Sequence, residues 1–152
     1  MCKTHKALIT DASAIQGLVN NFAKHGGMIM LSKNDVYERI FEYLLYKEDG
    51  KLLGVCALHP TWEDIAEIRS LAVDSSMQGK GIGKILVQAQ LERAKECGFS
   101  RVFTLTYQVE FFSKLGFKVV SMDELPKKSW TDCLKCIKYP ECDETAMIIE
   151  LN

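Results

Sequence analysis

The chain has 152 residues, 47% hydrophobic and 26% charged, which suits a single globular domain over residues 1–152, burying about 70% of its unfolded surface. Nineteen basic against twenty acidic residues leave a net charge of −1, so nothing in the bulk electrostatics calls for nucleic acid or an anionic membrane as partner, and an anionic ligand must be held locally. The apolar runs fall short of the ~20 residues of a membrane span, and the start, Met1-Cys2-Lys3-Thr4-His5-Lys6, lacks the apolar core of a secretion signal, so a cytoplasmic location is expected.

Ala7-Leu8-Ile9 reads as a first strand, and Asp11 as the N-cap of a helix with Ile15, Leu18, Val19 and Phe22 at helical spacing, stopped by Gly26-Gly27. Ser32 followed by Asp35 resembles a capping box for a second helix, with Val36, Tyr37, Ile40 and Phe41 on its inner side. Residues 43–47 and 52–59 are strand-like runs around Asp49-Gly50, a strong hairpin signal. A longer loop with Pro60 and Trp62 leads to a strand over 65–73. Alternation along it predicts Glu67, Arg69, Leu71 and Val73 on one face.

That strand ends at Asp74-Ser75-Ser76, and from Ile82 to Cys97 the period becomes helical, with Lys84, Gln88, Glu92, Lys95 and Glu96 forming a polar stripe and Gly98 a stop. Between them lies Gln78-Gly79-Lys80-Gly81-Ile82-Gly83, three glycines at alternate positions where a helix begins. A helix start presents unpartnered N–H groups and partial positive charge, glycines allow close approach, and Lys80 and Lys84 add full charges. A phosphate or diphosphate fits this pattern; a tight turn is the other reading. A Walker loop is excluded because Gly83-Lys84 is followed by Ile85 and the upstream glycine position is Gln78. A Rossmann fingerprint is excluded because its third glycine would fall at Lys84, and Phe103 stands where an acidic residue is required.

Residues 101–106 read as a strand, 109–115 as a short helix, and 117–120 and 146–151 as strands. A mixed α/β (α+β) architecture follows, a central sheet flanked by helices. Of six cysteines, Cys56 and Cys97 sit in apolar patterns and read as small core residues. Cys133, Cys136 and Cys142 are one ligand short of a closed zinc site; a reduced loop cluster is the preferred reading, and no metal is assigned.

Leu71-Ala72-Val73 followed by Gln78-x-x-Gly81-x-Gly83 resembles the acetyl-CoA signature of the GNAT superfamily of N-acetyltransferases, and Phe111-Phe112-Ser113-Lys114-Leu115-Gly116-Phe117 resembles that superfamily's next motif. The resemblance implies a mixed, mostly antiparallel sheet and acetyl-CoA as co-substrate. It places the cofactor at Leu71, Ala72, Val73, Gln78, Gly79, Lys80, Gly81, Ile82, Gly83 and Lys84. It also implies a glutamate general base at Glu67, with Glu63 as a weaker rival, and main-chain N–H groups of residues 71–73 on the thioester carbonyl. Phe112 stands where the family usually offers a tyrosine to the leaving thiolate; it would wall the pantetheine arm, and Tyr107 is a substitute donor or a packing residue.

Residues 125–136 and 139–144, with the run from Glu67 to Val73, are similar to short, kinase-less N-acetylglutamate synthases of arginine biosynthesis. That similarity implies an amine substrate, L-glutamate. Arg69 is then a partner for the substrate carboxylate, with Lys33 and Lys128 as further candidates that are otherwise surface lysines. Another amine, a non-catalytic acyl-CoA sensor and a homodimer stay open.

Overall fold

Asp49 and Gly50 both take positive φ, 52° and 77°, the turn that lets two right-twisted strands fold back on each other. They join β2 (Tyr43–Glu48) to β3 (Lys51–Pro60), antiparallel with Tyr43 opposite Ala57. This computed structural model describes residues 4–24, 30–125 and 144–152. The chain divides into two units, Met1–Leu58 with Ile68–Glu92, and His59–Glu67 with Arg93–Asn152.

The first unit begins with β1 (Thr4–Lys6), antiparallel to β2, then a 3₁₀ turn and α1 (Ala12–Ala23). The expected strand at Ala7-Leu8-Ile9 is displaced: pairing with β2 covers residues 4–6 and ends with the Ala7 N–H on the Tyr43 carbonyl at 3.2 Å, and Leu8 and Ile9 are exposed. Asp11 precedes α1 but makes no cap to it; its carboxylate accepts the Leu8 N–H at 2.8 Å and the Lys47 ammonium at 2.9 Å, closing the turn instead. The Gly26-Gly27 stop lies outside the described residues; α1 ends before it. The capping box forms as expected at the start of α2 (Lys33–Glu38), with Ser32 Oγ accepting the Asp35 N–H and Asp35 accepting the Ser32 N–H. Helical phase does not continue to residue 41, because Arg39 leaves the helix at φ −115°. Val36 and Ile40 therefore enter the core while Tyr37 and Phe41 face out, Phe41 at 84% exposure.

The core of this unit gathers Ile15 and Val19 of α1, Val36, Ile40, Tyr43 and Leu45, Val55 and Ala57 of β3, and Ala72 near the end of β4 (Ile65–Val73). The 15-residue α3 (Ile82–Glu96) belongs to it through Glu92. Leu86 and Val87 are buried and Lys84, Gln88 and Glu92 exposed, as the polar stripe predicts. Ile85, at 42% exposure, and Gln90, at 0%, reverse the order their chemistry suggests.

In the second unit, residues 65–67 of β4 run parallel to β5 (Arg101–Thr106), β5 is antiparallel to β7 (Thr145–Glu150), and β7 to β6 (Lys118–Val120). The short α4 (Val109–Lys114) lies between β5 and β6 in the chain. Ile65, Phe103, Leu125 and Ala146 form the core. Asp64 fixes the parallel start: its carbonyl accepts the N–H groups of Ser100 and Arg101, and its carboxylate takes Arg101 Nη2 at 2.9 Å. Cys97 is exposed, since α3 is ending there, so the expectation of a core cysteine holds for Cys56 alone. The strand order β1-β2-β3-β4-β5-β7-β6 is the mixed, mostly antiparallel sheet flanked by helices that was expected. Among the described residues, no helix is long and apolar enough to cross a membrane.

Candidate active site

Where β4 ends, Asp74 opens a 3₁₀ turn (Ser75–Met77), accepting the Ser76 hydroxyl at 2.6 Å and the Ser76 N–H at 3.0 Å. These bonds hold its carboxyl below the usual range. Gln78 reaches back, Nε2 to the Val73 carbonyl at 3.4 Å. Gly79 and Gly81 then adopt φ 81° and 85°, which side-chain-bearing residues rarely take, and space is open on the side where a Cβ would stand. The first bond of the helix runs from Ile85 N–H to the Gly81 carbonyl at 3.1 Å, so the amides of Ile82, Gly83 and Lys84 precede the helix's own ladder. Lys80 and Lys84 are exposed beside them. The result is an open bend with three amides and two ammonium groups, the geometry that suits a diphosphate.

What holds this bend in place lies beneath it. A Cβ on Gly54 of β3 would meet Ile82 Cγ2 at 2.8 Å and Leu86 Cδ1 at 2.9 Å, so the first turns of α3 rest directly on strand backbone. Gln90 adds a polar tie, Nε2 donating to the carbonyls of Cys56 at 2.6 Å and Glu42 at 3.0 Å. The cue for Gly54 was a glycine within a strand pattern, which marks close approach, and for Gln90 a polar residue between buried helix positions.

Along β4 the expected alternation fails at one residue. Ser70 takes φ 51° inside the strand. The amides of Thr61 and Trp62 bond the Ile65 carbonyl at one end of the β3–β4 pair, and the Asp74 amide bonds the Leu53 carbonyl at the other. From Ile65 to Asp74 is nine steps, whereas from Thr61 to Leu53 is eight, so β4 carries one extra residue, a bulge. Glu67 and Arg69, ahead of the bulge, keep the alternate spacing. Leu71 and Val73 do not continue their face, since the bulge resets the phase: Ala72 is buried and Leu71 and Val73 are half-buried. Glu67 is 8% exposed, the one buried charged residue among the described residues. Arg69 is half-buried, with Nη1 withdrawn from solvent.

In the second unit, Tyr107 follows β5 and is 40% exposed, and Gln108, whose N–H bonds Thr106 Oγ1, opens α4. Phe112 is 3% exposed, edge-on to Phe111 and Phe117 at centroid separations of 5.0 and 5.1 Å, the packing of a core ring. Glu63 is exposed in its loop and Lys33 on the first turn of α2. Lys128 and the cysteines 133, 136 and 142 lie outside the described residues. Within the first unit, therefore, residues 72–73, Gln78 and Ile82 are brought together around Gly54 and the Val73 carbonyl.

The chain matches the acetyltransferase (GNAT) family over residues 22–117. It is 37% identical over 142 residues to an uncharacterised N-acetyltransferase of Chlorobaculum tepidum, covering 93% of this chain and 92% of that one. It is 41% identical over 117 residues to an amino-acid acetyltransferase of Mycobacterium tuberculosis, covering 74% of this chain and 66% of the relative. Its fold superposes with a TM-score of 0.89 on N-acetylglutamate synthase of Neisseria gonorrhoeae, solved with coenzyme A and N-acetyl-glutamate, at 28% identity over 98% of this chain and 35% of the synthase. The glycine bend at the head of α3 and these likenesses agree: the chain belongs to the GNAT family and is an acetyl-CoA-dependent N-acetyltransferase.

Proposed function

We propose that the protein, as one N-acetyltransferase domain acting in the cytoplasm, acetylates the α-amino group of L-glutamate, the acetylation that arginine biosynthesis uses. One observation carries the reading: a buried carboxylate, Glu67, stands two residues before Arg69 on β4, next to the bulge and ahead of the glycine bend. The relative named amino-acid acetyltransferase and the synthase bound to N-acetyl-glutamate support the choice of acceptor.

In this reading the bend over residues 78–84 grips the diphosphate of acetyl-CoA and the strand beyond the bulge, Leu71, Ala72 and Val73, lies along its pantetheine arm. Glu67 takes a proton from the glutamate ammonium, directly or through water, and the freed amine attacks the thioester carbon. Amides of residues 71–73 hold the oxyanion. The nitrogen gives up its second proton to water as the C–S bond breaks, and the thiolate leaves with the electron pair and is protonated from water or by Tyr107, which is exposed and carries a hydroxyl that Phe112 lacks. A thiol of pKa about 8.5 is a tolerable leaving group without a dedicated acid. Arg69 pairs with a carboxylate of the substrate, and Lys33 and Lys128 are further candidates for its second one.

A panel of amino acids with acetyl-CoA, followed by thiol release, tests the acceptor. Glutamate is expected to have the highest kcat/KM, above aspartate and glutamine; clear preference for another amine overturns glutamate while leaving the transferase class intact.

A further inference from the structure

Ser70 is the place where β4 departs from ordinary strand geometry, and a serine at φ 51° has to be held there by its surroundings. The hydroxyl of Tyr43, a residue only 2% exposed, is hydrogen-bonded to the Ser70 side chain. Tyr43 sits on β2, opposite Ala57 on β3, and β3 lies between β2 and β4. The Tyr43 ring therefore crosses the intervening strand over a side chain of one carbon, and Tyr43, Ala57 and Ala72 share one buried cluster. A buried tyrosine hydroxyl needs a partner, and here the partner is the strained residue itself. Burial pushes the Tyr43 phenol up, against the opposing effect of the Ser70 bond, so the hydroxyl keeps its proton and its hydrogen bond near pH 7.

We infer that Tyr43 is a positioning residue for the acceptor site: its hydroxyl holds Ser70 in the left-handed conformation that aims Arg69, the residue just ahead of the bulge. This rests on the reading of Arg69 as the partner of the substrate carboxylate. One hydrogen bond from the neighbouring part of the sheet thus selects among the backbone states open to a serine, and the direction of the residue before it follows.

The test compares Tyr43→Phe, Ser70→Ala, Ser70→Gly, the double variant Tyr43→Phe with Ser70→Gly, and Arg69→Gln, each assayed for kcat, for KM of acetyl-CoA and for KM of glutamate, with thermal melts alongside. Tyr43→Phe and Ser70→Ala each lose the tether and keep a Cβ at residue 70; each is expected to raise the glutamate KM about tenfold while the acetyl-CoA KM changes less than about twofold. Ser70→Gly is expected to stay within about threefold of wild type, alone or with Tyr43→Phe, because glycine takes positive φ unaided. Should Tyr43→Phe fail to fold, the contrast between alanine and glycine at residue 70 decides the matter. Equal behaviour of those two variants, or a Tyr43→Phe loss that tracks the fall in melting temperature and is not rescued by glycine, overturns the inference. Arg69→Gln separates the two readings: no rise in its glutamate KM defeats the assignment of Arg69, whereas a rise there with none in Tyr43→Phe and Ser70→Ala defeats the positioning role alone.

Discussion

Gln90 donates Nε2 to the carbonyl oxygen of Cys56 at 2.6 Å, a tie between the middle of α3 and the centre of β3 at a residue with no solvent exposure. The same nitrogen bonds the Glu42 carbonyl at 3.0 Å, while Oε1 is buried with no hydrogen-bond partner. Gln90→Leu strands the two carbonyls and removes that orphaned oxygen. The opposing terms leave a net loss of about 2 kcal/mol, read by urea unfolding. An unchanged midpoint would mean that the two bonds contribute nothing.

Gly54 should tolerate no side chain. In Gly54→Ala the new methyl needs Ile82 and Leu86 to retreat from contacts of 2.8 and 2.9 Å, at a cost of about 1–3 kcal/mol. Because Ile82 opens α3, the KM for acetyl-CoA should rise severalfold, in steady-state assays, more than the KM for the amine.

Two glycines with equal room for a methyl group should respond in opposite directions. Gly81, at φ 85°, pays in backbone strain, and Gly81→Ala should lose about 1–2 kcal/mol together with affinity for acetyl-CoA. Gly17, inside α1 and exposed, has no such φ, so Gly17→Ala should gain about 0.5–1 kcal/mol and leave activity alone. Thermal melts and calorimetric titration with acetyl-CoA check both.

Glu67→Gln keeps the shape of the side chain and removes its basicity. Activity should fall about 10²–10⁴-fold in kcat with acetyl-CoA binding retained. The comparison is made by steady-state assay beside calorimetry, and wild-type kcat in the variant would remove Glu67 from the reaction.

Asp11 predicts a pH dependence of stability. Burial raises its pKa, but the Leu8 N–H, the Lys47 hydrogen bond and charge, and His5 together outweigh it, so the carboxyl is held below its ordinary value. A depressed folded-state pKa stabilises the protein above the unfolded value near pH 4, and that contribution fades as pH falls through the folded value. Asp11→Asn should lower stability at pH 7 by about 1 kcal/mol and flatten its decline at acid pH, measured by denaturation at a series of pH values.

Much of the fold was legible because it rests on local signals: Asp49-Gly50 for the hairpin, Ser32 and Asp35 for the box before α2, Gly98 at φ 95° for the end of α3. The misses came where a distant partner overrode a local preference. Asp11 is a good cap by type, but Leu8 N–H and Lys47 claim its oxygens. Phe41 has the spacing of an inward residue, but the break at Arg39 turns it outward. In the site, the glycine bend was readable from residue type alone, whereas the bulge at Ser70 was not, since no glycine marks it and its support comes from Tyr43 on β2, a strand not adjacent to β4.

The most direct measurement incubates the protein with acetyl-CoA labelled with carbon-13 in the acetyl group and L-glutamate, following free thiol and the mass and carbon spectrum of the product. The account predicts one labelled acetyl on the glutamate α-nitrogen for each thiol released. Thiol release with the label on any other nucleophile, or none above the rate without protein, would contradict it.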